Sequence, residues 1–168
     1  MSKDILDACC GGRMFYFDKS DPRVLFQDIR NAETTLCDGR TFKISPDVVG
    51  DFCNMPYADQ SFSLVIFDPP HLIKGEGVKN TGWQFFKYGF LPSENWRETL
   101  KKGFAECFRV LRDGGFLIFK WCEEDIKVSE ILSLTTEKPI IGHKSGKQSK
   151  THWILFQKSI NQLINKEL

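Results

Sequence analysis

The sequence predicts one α/β domain built on a mostly parallel β-sheet whose last strand is antiparallel. Short apolar runs alternate with stretches of helical periodicity along the 168 residues, which is the pattern of strand–helix units. The last two apolar runs are joined by the polar link 143–150, which is too short for a crossover helix and therefore requires an antiparallel pair. A chain of this length suffices for one domain with a sizeable core.

The first half of the chain contains four predicted core strands and one hairpin. The Asp38-Gly39 pair lies between flanks that contain Thr, Phe and Ile, which favours a hairpin around 37–40. A short helical piece is expected over 14–17, ended before Pro22. The core strands are expected at Ile5–Ala8, Val24–Gln27, Asp47–Phe52 and Phe62–Phe67.

The second half contains one long helix and three further strands. Ser93 has the chemistry of an N-cap, and apolar residues then recur at helical spacing as far as Leu111. Residues 72–92, rich in aromatic residues, are expected to form a substrate loop or lid. A shorter helix is expected near 123–134, and strands are expected at Phe116–Phe119, Pro139–Ile141 and Trp153–Phe156. The domain is placed at 1–158, and 159–168 are expected to form a surface helix or a frayed tail.

Composition excludes several classes of function. The formal net charge is +1, so no global field draws the protein to a nucleic acid or a membrane, and such contacts require a local patch. No apolar run approaches the roughly 20 residues of a membrane span. The six cysteines lack the Cys-x-x-Cys spacing of structural zinc sites. These features, with no signal-peptide pattern at the start, indicate a cytoplasmic protein without a metal site or a membrane partner.

The most informative motif is the turn that follows the fourth strand. The apolar run Phe62–Phe67 stops at an acid and two prolines, and proline continues neither a sheet ladder nor a helix. Ligands bind at the carboxyl ends of strands in open α/β sheets. The turn therefore holds a carboxylate, rigid carbonyls and a flat ring at a predicted site, on residues Asp68, Pro69, Pro70 and His71.

Three weaker features precede this turn in chain order. A small-residue turn at 7–12 follows the first strand, Asp28 ends the second and Asp51 ends the third. Small side chains let a ligand approach the backbone, an acid after the second strand binds ribose hydroxyls, and Asp51 beside Phe52 can accept from an adenine amino group. Each also has a plain structural interpretation: a tight turn without a ligand, an acid that pairs with Arg30, and an acid that caps a turn.

Together these residues resemble the class I S-adenosylmethionine-dependent methyltransferases, and among them those with an Asp/Asn-Pro-Pro-aromatic motif. The resemblance covers about residues 4–158, implies the Rossmann-like methyltransferase fold with S-adenosylmethionine as cofactor, and suggests a phage or prophage enzyme. The chain departs from the family at Cys9 and Arg13, where glycines are usual, and at His71, where a larger ring is usual. The resemblance implies cofactor contacts at Asp7, Ala8, Cys9, Gly11, Asp28, Asp51, Phe52 and Asp68, and a catalytic turn at Asp68, Pro69, Pro70 and His71.

The activity implied by the resemblance is methyl transfer to an exocyclic amino nitrogen of a base, adenine N6 or guanine N2, in DNA or RNA. Asp68 and the Pro69 carbonyl would accept the N–H groups and orient the lone pair, while His71 stacks on the base. The other expected substrate contacts are Trp83, Phe85, Lys144, Lys147 and Lys150. Their plain structural interpretations are a hydrophobic lid for the two aromatic residues and a solvated loop for the three lysines.

Two other functions fit the same residues. One keeps the cofactor and changes the acceptor to a protein glutamine, whose planar amide poses the same problem of nucleophilicity, or to a small molecule. The other is a non-catalytic cofactor-binding subunit in which Asp68 is a relic and the aromatic segment is an interface. The sequence shows no separate target-recognition domain, which counts against a sequence-specific DNA methylase that works without a partner subunit.

Overall fold

The computed structural model describes residues 3–36, 38–75 and 82–160. The elements in chain order are β1 (Ile5–Asp7), β2 (Val24–Asp28), β3 (Ala32–Thr35), β4 (Thr41–Ile44), β5 (Val48–Val49), β6 (Phe62–Phe67), β7 (Ile73–Lys74), α1 (Trp83–Tyr88), β8 (Leu91–Pro92), α2 (Trp96–Val110), β9 (Leu111–Cys122), α3 (Val128–Leu132), β10 (Pro139–Lys144) and β11 (Thr151–Gln157). Seven strands form one sheet in the order β10-β11-β9-β6-β1-β2-β5. The pairs that include β11 are antiparallel and the others are parallel, so the predicted α/β fold with an antiparallel last strand is confirmed.

The sheet changes direction of growth between β1 and β6. From β1 the chain first adds β2 and β5 on one side, and then β6 and β9 on the other. Ile5 is consequently paired with Val24 on one neighbour and with Leu64 on the other. The crevice outside the carboxyl ends of the strands at such a switch point is the usual ligand site of open α/β sheets. The residues that follow β1, β2 and β6 all reach this edge.

One face of the sheet is covered by α2, whose apolar stripe produces the main core. Phe104 of this helix lies 5.4 Å from the ring of Phe67 and 4.9 Å from that of Phe119, between ring centroids. Gly103 permits the close approach, because a Cβ there would lie 2.7 Å from Cζ of Phe67 and 2.8 Å from Cδ2 of Phe52. The periodicity predicted the helix, and four residues of the predicted stripe are buried in it: Trp96, Leu100, Phe104 and Cys107. Gly103, Phe108 and Val110 are buried as well.

The opposite face of the sheet is covered less completely. Tyr16 packs against Phe26 of β2, with 4.9 Å between ring centroids. Further along this face, a groove of about 620 Å³ is lined by apolar side chains that include Leu64, Ile118 and Trp153. Within the described residues, the structure places no long helix over this groove.

Several predicted elements differ in extent. The hairpin expected around 37–40 is present as β3 and β4, although Cys37 lies outside the described residues. The strand expected at 47–52 is reduced to β5, because the Asp47 carboxylate accepts from Phe26 N and Asp51 turns the chain towards Cys53 N. The helical piece expected at 14–17 is wrong: the segment forms turns, preceded by Arg13 at φ 52°.

The second half differs in a similar way. The long helix begins at Trp96 after Asn95, because the predicted cap Ser93 continues the β7–β8 pair through a bond from its N–H to Lys74 O. Strand β9 starts directly after α2, at Leu111, and not at Phe116 where the strand was expected to begin. The helix expected near 123–134 shortens to α3, since the Glu123 carboxylate accepts from Val128 N.

The segment expected to be a loop or lid contains regular structure. Residues 72–92 include β7, α1 and β8, of which β7 and β8 form a small parallel pair. Residues 76–81 and 161–168 lie outside the described residues, and so does most of the predicted tail. Among the described residues, no helix is both long and apolar enough to cross a membrane, and the same residues contain no group of three or more potential metal ligands.

Candidate active site

A cleft lies where the carboxyl ends of β1, β2, β6 and β9 meet. The structure brings together there eight of the sixteen site residues that the sequence predicted, together with several that it did not. Its free volume is about 70 Å³. It is lined by Cys9, Cys10, Gly11, Gly12, Met14, Phe15, Asp28, Ile29, Arg30, Phe52, Asp68, Pro69, Pro70, His71, Lys87, Tyr88 and Lys120.

The turn after β1 is fastened to β2 and open towards the cleft. Cys10 N donates to Gln27 O at 2.7 Å, and Gly11 N donates to Asp28 Oδ2 at 2.8 Å. Gly11 has φ 50°, and no atom lies within 4 Å of the position that a Cβ would take. Glycine is the residue that adopts this conformation without strain, and the space beside it is available to a ligand.

Asp28 is buried at the end of β2 and its two oxygens are fully engaged. Besides the bond from Gly11, it accepts from Arg30 N at 2.9 Å and from Arg30 Nε at 3.0 Å. A second nitrogen of the same guanidinium, Nη1, donates to Phe86 O of α1 at 2.8 Å. The acid therefore pairs with Arg30, as one interpretation of the sequence expected, but it is buried rather than solvated. Arg30 joins it to α1.

Asp7 and Ala8 lie beneath the cleft and do not line it. Both are buried, and Ala8 N donates to Ile66 O at 3.0 Å. Tyr16 Oη donates to Asp7 Oδ2 at 2.9 Å, and Cys9 N donates to Oδ1 at 3.3 Å. Burial raises the pKa of Asp7 to about 7, against these two hydrogen bonds and with a smaller contribution from the charges of Asp68 and Asp28. The carboxyl group is thus poised to gain or lose a proton near neutral pH.

Asp68 forms an ion pair with a residue of the neighbouring strand. Lys120 Nζ, near the end of β9, donates to Asp68 Oδ2 at 2.6 Å. The ammonium group also lies 5.6 Å from the Phe15 ring and 5.7 Å from the Trp153 ring, measured to the centroids. Burial raises the pKa of Asp68, and the positive charge of Lys120 opposes that rise. The pair leaves Oδ1 of Asp68 without a bond from Lys120.

His71 presents a neutral ring beside this carboxylate. Burial lowers its pKa below the usual 6.5, although the charge of Asp68 acts in the opposite direction. Its ring lies 5.4 Å from the ring of Tyr88 and 6.5 Å from that of Trp121, between centroids. A flat ring with aromatic neighbours suits stacking on a planar group.

Asp51 and Phe52 follow β5 and have different surroundings. Phe52 lines the cleft together with Ile29, a largely exposed apolar residue directly after Asp28. These two side chains form apolar walls of the kind that hold a flat heterocycle. The Asp51 carboxylate is exposed and accepts from Cys53 N at 2.8 Å, so it caps a turn and does not line the cleft.

The five expected substrate contacts do not line the cleft. Trp83 is half exposed, with Lys87 Nζ 5.5 Å from its ring, and Phe85 packs against Phe90 at 5.9 Å. The three lysines, Lys144, Lys147 and Lys150, belong to the end of β10 and to the link before β11. Lys150 pairs with Glu124 at 3.0 Å.

A second cavity opens beside the catalytic turn. It has a volume of about 440 Å³, and the residues that it shares with the cleft are Met14, His71, Tyr88 and Lys120. Gln84, Glu124 and Thr151 add polar groups to its lining. The two cavities thus meet at His71 and Lys120, next to Asp68, so a ligand in each could present reacting atoms at that point.

Sequence reasoning missed Arg30, Ile29 and Lys120 as site residues. Lys120 had a usable signal, because it is a charged residue that interrupts the apolar run 116–121 near the end of a core strand. Ile29 also had one, as an apolar residue directly after a strand-end acid. Arg30 had only the pairing considered for Asp28, and its bond to α1 joins residues 56 positions apart.

Comparison with solved structures identifies the fold, whereas comparison of sequences finds no relative. No protein-family model matches the sequence, and no curated protein sequence matches it significantly. Among solved structures, a SAM-dependent methyltransferase of Methanosarcina mazei superposes with a TM-score of 0.56 at 12% identity, covering 95% of each chain. The N-methyltransferase NodS of Bradyrhizobium japonicum gives 0.55 at 12% identity, covering 92% of this chain and 85% of that one.

A third structure extends the same result. A TehB-like SAM-dependent methyltransferase of Corynebacterium glutamicum superposes with a TM-score of 0.53 at 16% identity, covering 95% of this chain and 83% of that one. Likeness at such low identity concerns the fold alone. The chain therefore has the Rossmann-like fold of S-adenosylmethionine-dependent methyltransferases, and its activity has to be argued from the site.

Proposed function

We propose that the chain is an S-adenosylmethionine-dependent methyltransferase that methylates an exocyclic amino nitrogen of a base, adenine N6 or guanine N2, in DNA or RNA. The observation that carries the proposal is the Asp68–Lys120 pair beside the neutral ring of His71. It lies where two cavities meet.

The residues of the cleft fit this cofactor. S-adenosylmethionine supplies a methyl group on a positively charged sulfonium when it is bound. Asp28 has the place of a ribose acceptor, and Ile29 and Phe52 are apolar walls for the adenine. Asp68 lies beside the cleft, and Asp7, whose pKa is raised to about 7, lies beneath it. In their ionised forms these carboxylates suit a ligand that carries an ammonium and a sulfonium.

The cofactor is larger than the free space in the cleft. Ligand pockets commonly measure roughly 300–1,000 Å³, whereas the cleft holds about 70 Å³. Arg30 is part of its lining and occupies the acceptor oxygens of Asp28. We therefore expect Arg30, and the α1 backbone that it bonds, to move when the cofactor binds.

The catalytic turn orients the acceptor nitrogen. An exocyclic amine is a weak nucleophile because its lone pair is delocalised into the ring. Oδ1 of Asp68 and the Pro69 carbonyl oxygen accept its two N–H groups, which orients the lone pair away from the ring plane. The positive charge of Lys120 favours the ionised form of Asp68, which can accept, and Oδ1 then takes the proton that the nitrogen loses.

His71 holds the base in this arrangement. A neutral imidazole stacks on a base without repelling its N–H groups, and such stacking contributes about 1–3 kcal/mol in other base–ring contacts. The ring of Tyr88, 5.4 Å from that of His71 between centroids, offers a further aromatic surface beside it. The NodS similarity adds only that this fold carries out N-methylation elsewhere.

Incorporation of label tests the proposal directly. The protein is incubated with cofactor labelled on the methyl group and with separate pools of DNA, RNA and protein. We expect label in a nucleic-acid pool with wild type and none with Asp68→Ala, while Asp59→Ala, an exposed acid outside the site, retains wild-type activity. Label in the protein pool alone would indicate that the methyl acceptor is a protein glutamine and not a base. Label in no pool, with no calorimetric signal for cofactor binding, would reject the function altogether.

A further inference from the structure

A third cavity, which we call the basic groove, adjoins the cleft. It has a volume of about 570 Å³ and is bounded by the turn after β1, by residues 19–20, by the β3–β4 hairpin and by α1. Its charged lining consists of Arg13, Lys19, Arg40, Lys43 and Lys87, and no described Asp or Glu residue lines it. A chain with a net charge of +1 thus concentrates five cations in one concave surface.

Arg13 holds the walls of the groove together. Its guanidinium donates to Lys19 O at 2.6 Å and to Ser45 O at 2.7 Å, and lies 3.7 Å from the centroid of the Phe26 ring. These contacts link the segment before β2 to the end of the hairpin. Arg13 also pairs with Asp47 at 3.4 Å, so we assign it to the structure of the groove rather than to ligand contact.

Three of the remaining cations, Lys19, Arg40 and Lys43, are exposed, whereas Lys87 is partly buried. Arg40 pairs with Asp38 at 2.6 Å, and Lys43 lies 3.8 Å from Glu33. All four side chains of these pairs are exposed, and exposed pairs contribute little, about 0–1 kcal/mol. A polyanion can therefore compete for these cations at a small cost in intramolecular ion pairing.

The groove is continuous with the cleft. Gly11, Gly12, Met14 and Lys87 line both, so an extended ligand can occupy the two together. The hydroxyl groups of Ser20, Thr41 and Ser45 add hydrogen-bonding groups along the groove. Several separated cations with hydroxyl groups between them suit an anion that repeats along a chain.

We propose that the basic groove binds the phosphodiester backbone of a single-stranded nucleic acid. A single strand is favoured over a duplex because its bases are already unstacked, so that one of them can enter the cleft without the energy of base flipping. The binding itself is independent of methyl transfer, whereas its role in delivering a substrate base rests on the proposed function. Lys19 and Lys43 are the side chains to test, since neither is part of the site around Asp68.

The test is salt-dependent binding of short, mixed-sequence RNA and DNA oligonucleotides, measured by fluorescence anisotropy. Binding to a single strand weakens with a log–log slope of about −0.7 per neutralised phosphate. We expect Lys19→Gln/Lys43→Gln to weaken binding of both oligonucleotides irrespective of sequence and to reduce the magnitude of the slope by about 1.4. Lys101→Gln/Lys102→Gln, an equal change of charge on the exposed side of α2, should match wild type. The two arms show whether the strand is RNA or DNA.

The outcomes separate the groove from the catalytic proposal. Wild-type affinity and slope in Lys19→Gln/Lys43→Gln would overturn the groove, as would equal losses in the control variant. The proposal would also be overturned if wild type bound no oligonucleotide but bound anionic phospholipid vesicles, and Lys19→Gln/Lys43→Gln lost that vesicle binding. If oligonucleotides bind through the groove and no pool is methylated, the groove stands and the proposed function fails. If nucleic acid is methylated with an unchanged KM in the groove variant, the function stands and the groove fails.

Discussion

Asp7 lies beneath the cleft with no exposed surface, and Tyr16 and the Cys9 amide donate to its carboxyl oxygens. Burial raises its pKa from 3.8 to about 7. Between these two values the folded protein holds a proton that the unfolded chain does not, so the free energy of unfolding falls as the pH rises through this window. Above about pH 7 both states are ionised and the effect is constant.

Asp7→Asn removes this dependence. The amide keeps the shape and does not titrate, so the variant should be as stable as wild type near pH 4 and more stable at pH 8. A shift of this size corresponds to at most about 4 kcal/mol. Urea unfolding at a series of pH values measures the difference, and a constant offset between the two proteins across the series would contradict the assignment.

Lys120 forms an ion pair with Asp68 and thereby influences the pKa of that carboxyl group. Its charge opposes the effect of burial on the Asp68 pKa, so Lys120→Met should raise that pKa further. Because the proposed mechanism needs the ionised carboxylate, the acidic limb of the kcat/KM profile should move to higher pH. Lys120→Arg keeps the charge and should retain the wild-type limb; a profile that falls in height without moving in pH would argue for a structural role alone.

Arg30 shows why part of the site could not be predicted at the level of single residues. The strand-end acids were found because parallel strands bring their carboxyl ends to one edge, and the apolar runs marked those ends. The bond from Arg30 to Phe86 O depends on how α1 docks, and no local pattern encodes a contact over 56 positions. Lys120 differs, because the charged residue that interrupts the apolar run 116–121 was a usable signal, although its partner Asp68 lies 52 positions away.

At the scale of elements, α1 is tied to the acid that the proposed cofactor would use. Replacing Arg30 by Met releases Asp28 and the α1 backbone together, and should increase the association rate of the cofactor several-fold. Stopped-flow fluorescence of the tryptophans can follow this rate. Arg23→Met, which breaks only the exposed pair with Asp21, is the matched control. Slower association in Arg30→Met would show that Arg30 assists binding instead of competing with it.

Helix α2 depends on one glycine for its distance from the sheet. Gly-to-Ala changes inside helices usually stabilise by about 0.8–1.0 kcal/mol. At Gly103 the added Cβ would meet the rings of Phe67 and Phe52 at 2.7 and 2.8 Å, and overpacking of this kind costs about 1–3 kcal/mol. Gly103→Ala should therefore lower the midpoint of chemical denaturation, while Lys101→Ala on the exposed side should leave it nearly unchanged. A stabilised Gly103→Ala would show that the helix can move away from the sheet.

Helices and strands with strong periodicity were predicted best, and short segments least. The stripe from Trp96 to Leu111 placed α2 to within a few residues, because many side chains repeat the same signal. The aromatic residues at 15–17 carried no such repetition. Of these, Tyr16 packs against Phe26 of β2, and the segment forms turns. The lid prediction at 72–92 treated an aromatic-rich segment as a loop, although six of its residues form α1.

At the scale of the whole molecule, the order of the strands determines where chemistry can occur. The alternation of strands and helical segments predicted a mostly parallel sheet with its strand-end acids at one edge, whereas the switch between β1 and β6 is known only from the structure. The distribution of charge could not be foreseen in the same way. The net charge of +1 does not indicate the concentration of cations in the basic groove. The cations that line it are far apart in the sequence, at positions 13, 19, 40, 43 and 87, and only the fold brings them together.

The ring of Phe42 lies between the turn of the cleft and α1, where it can couple ligand binding in the cleft to ligand binding in the basic groove. It rests on Gly12, where a Cβ would lie 2.6 Å from Cε2, and it lies 6.0 Å from the ring of Phe86. One side chain of the hairpin thus contacts both the turn of the cleft and the helix that closes it. If a strand in the groove shifts this ring and thereby changes the affinity of the cleft by some factor, occupancy of the cleft must change the affinity of the groove by the same factor. Two ligands that never touch would then report on each other through a single phenyl ring.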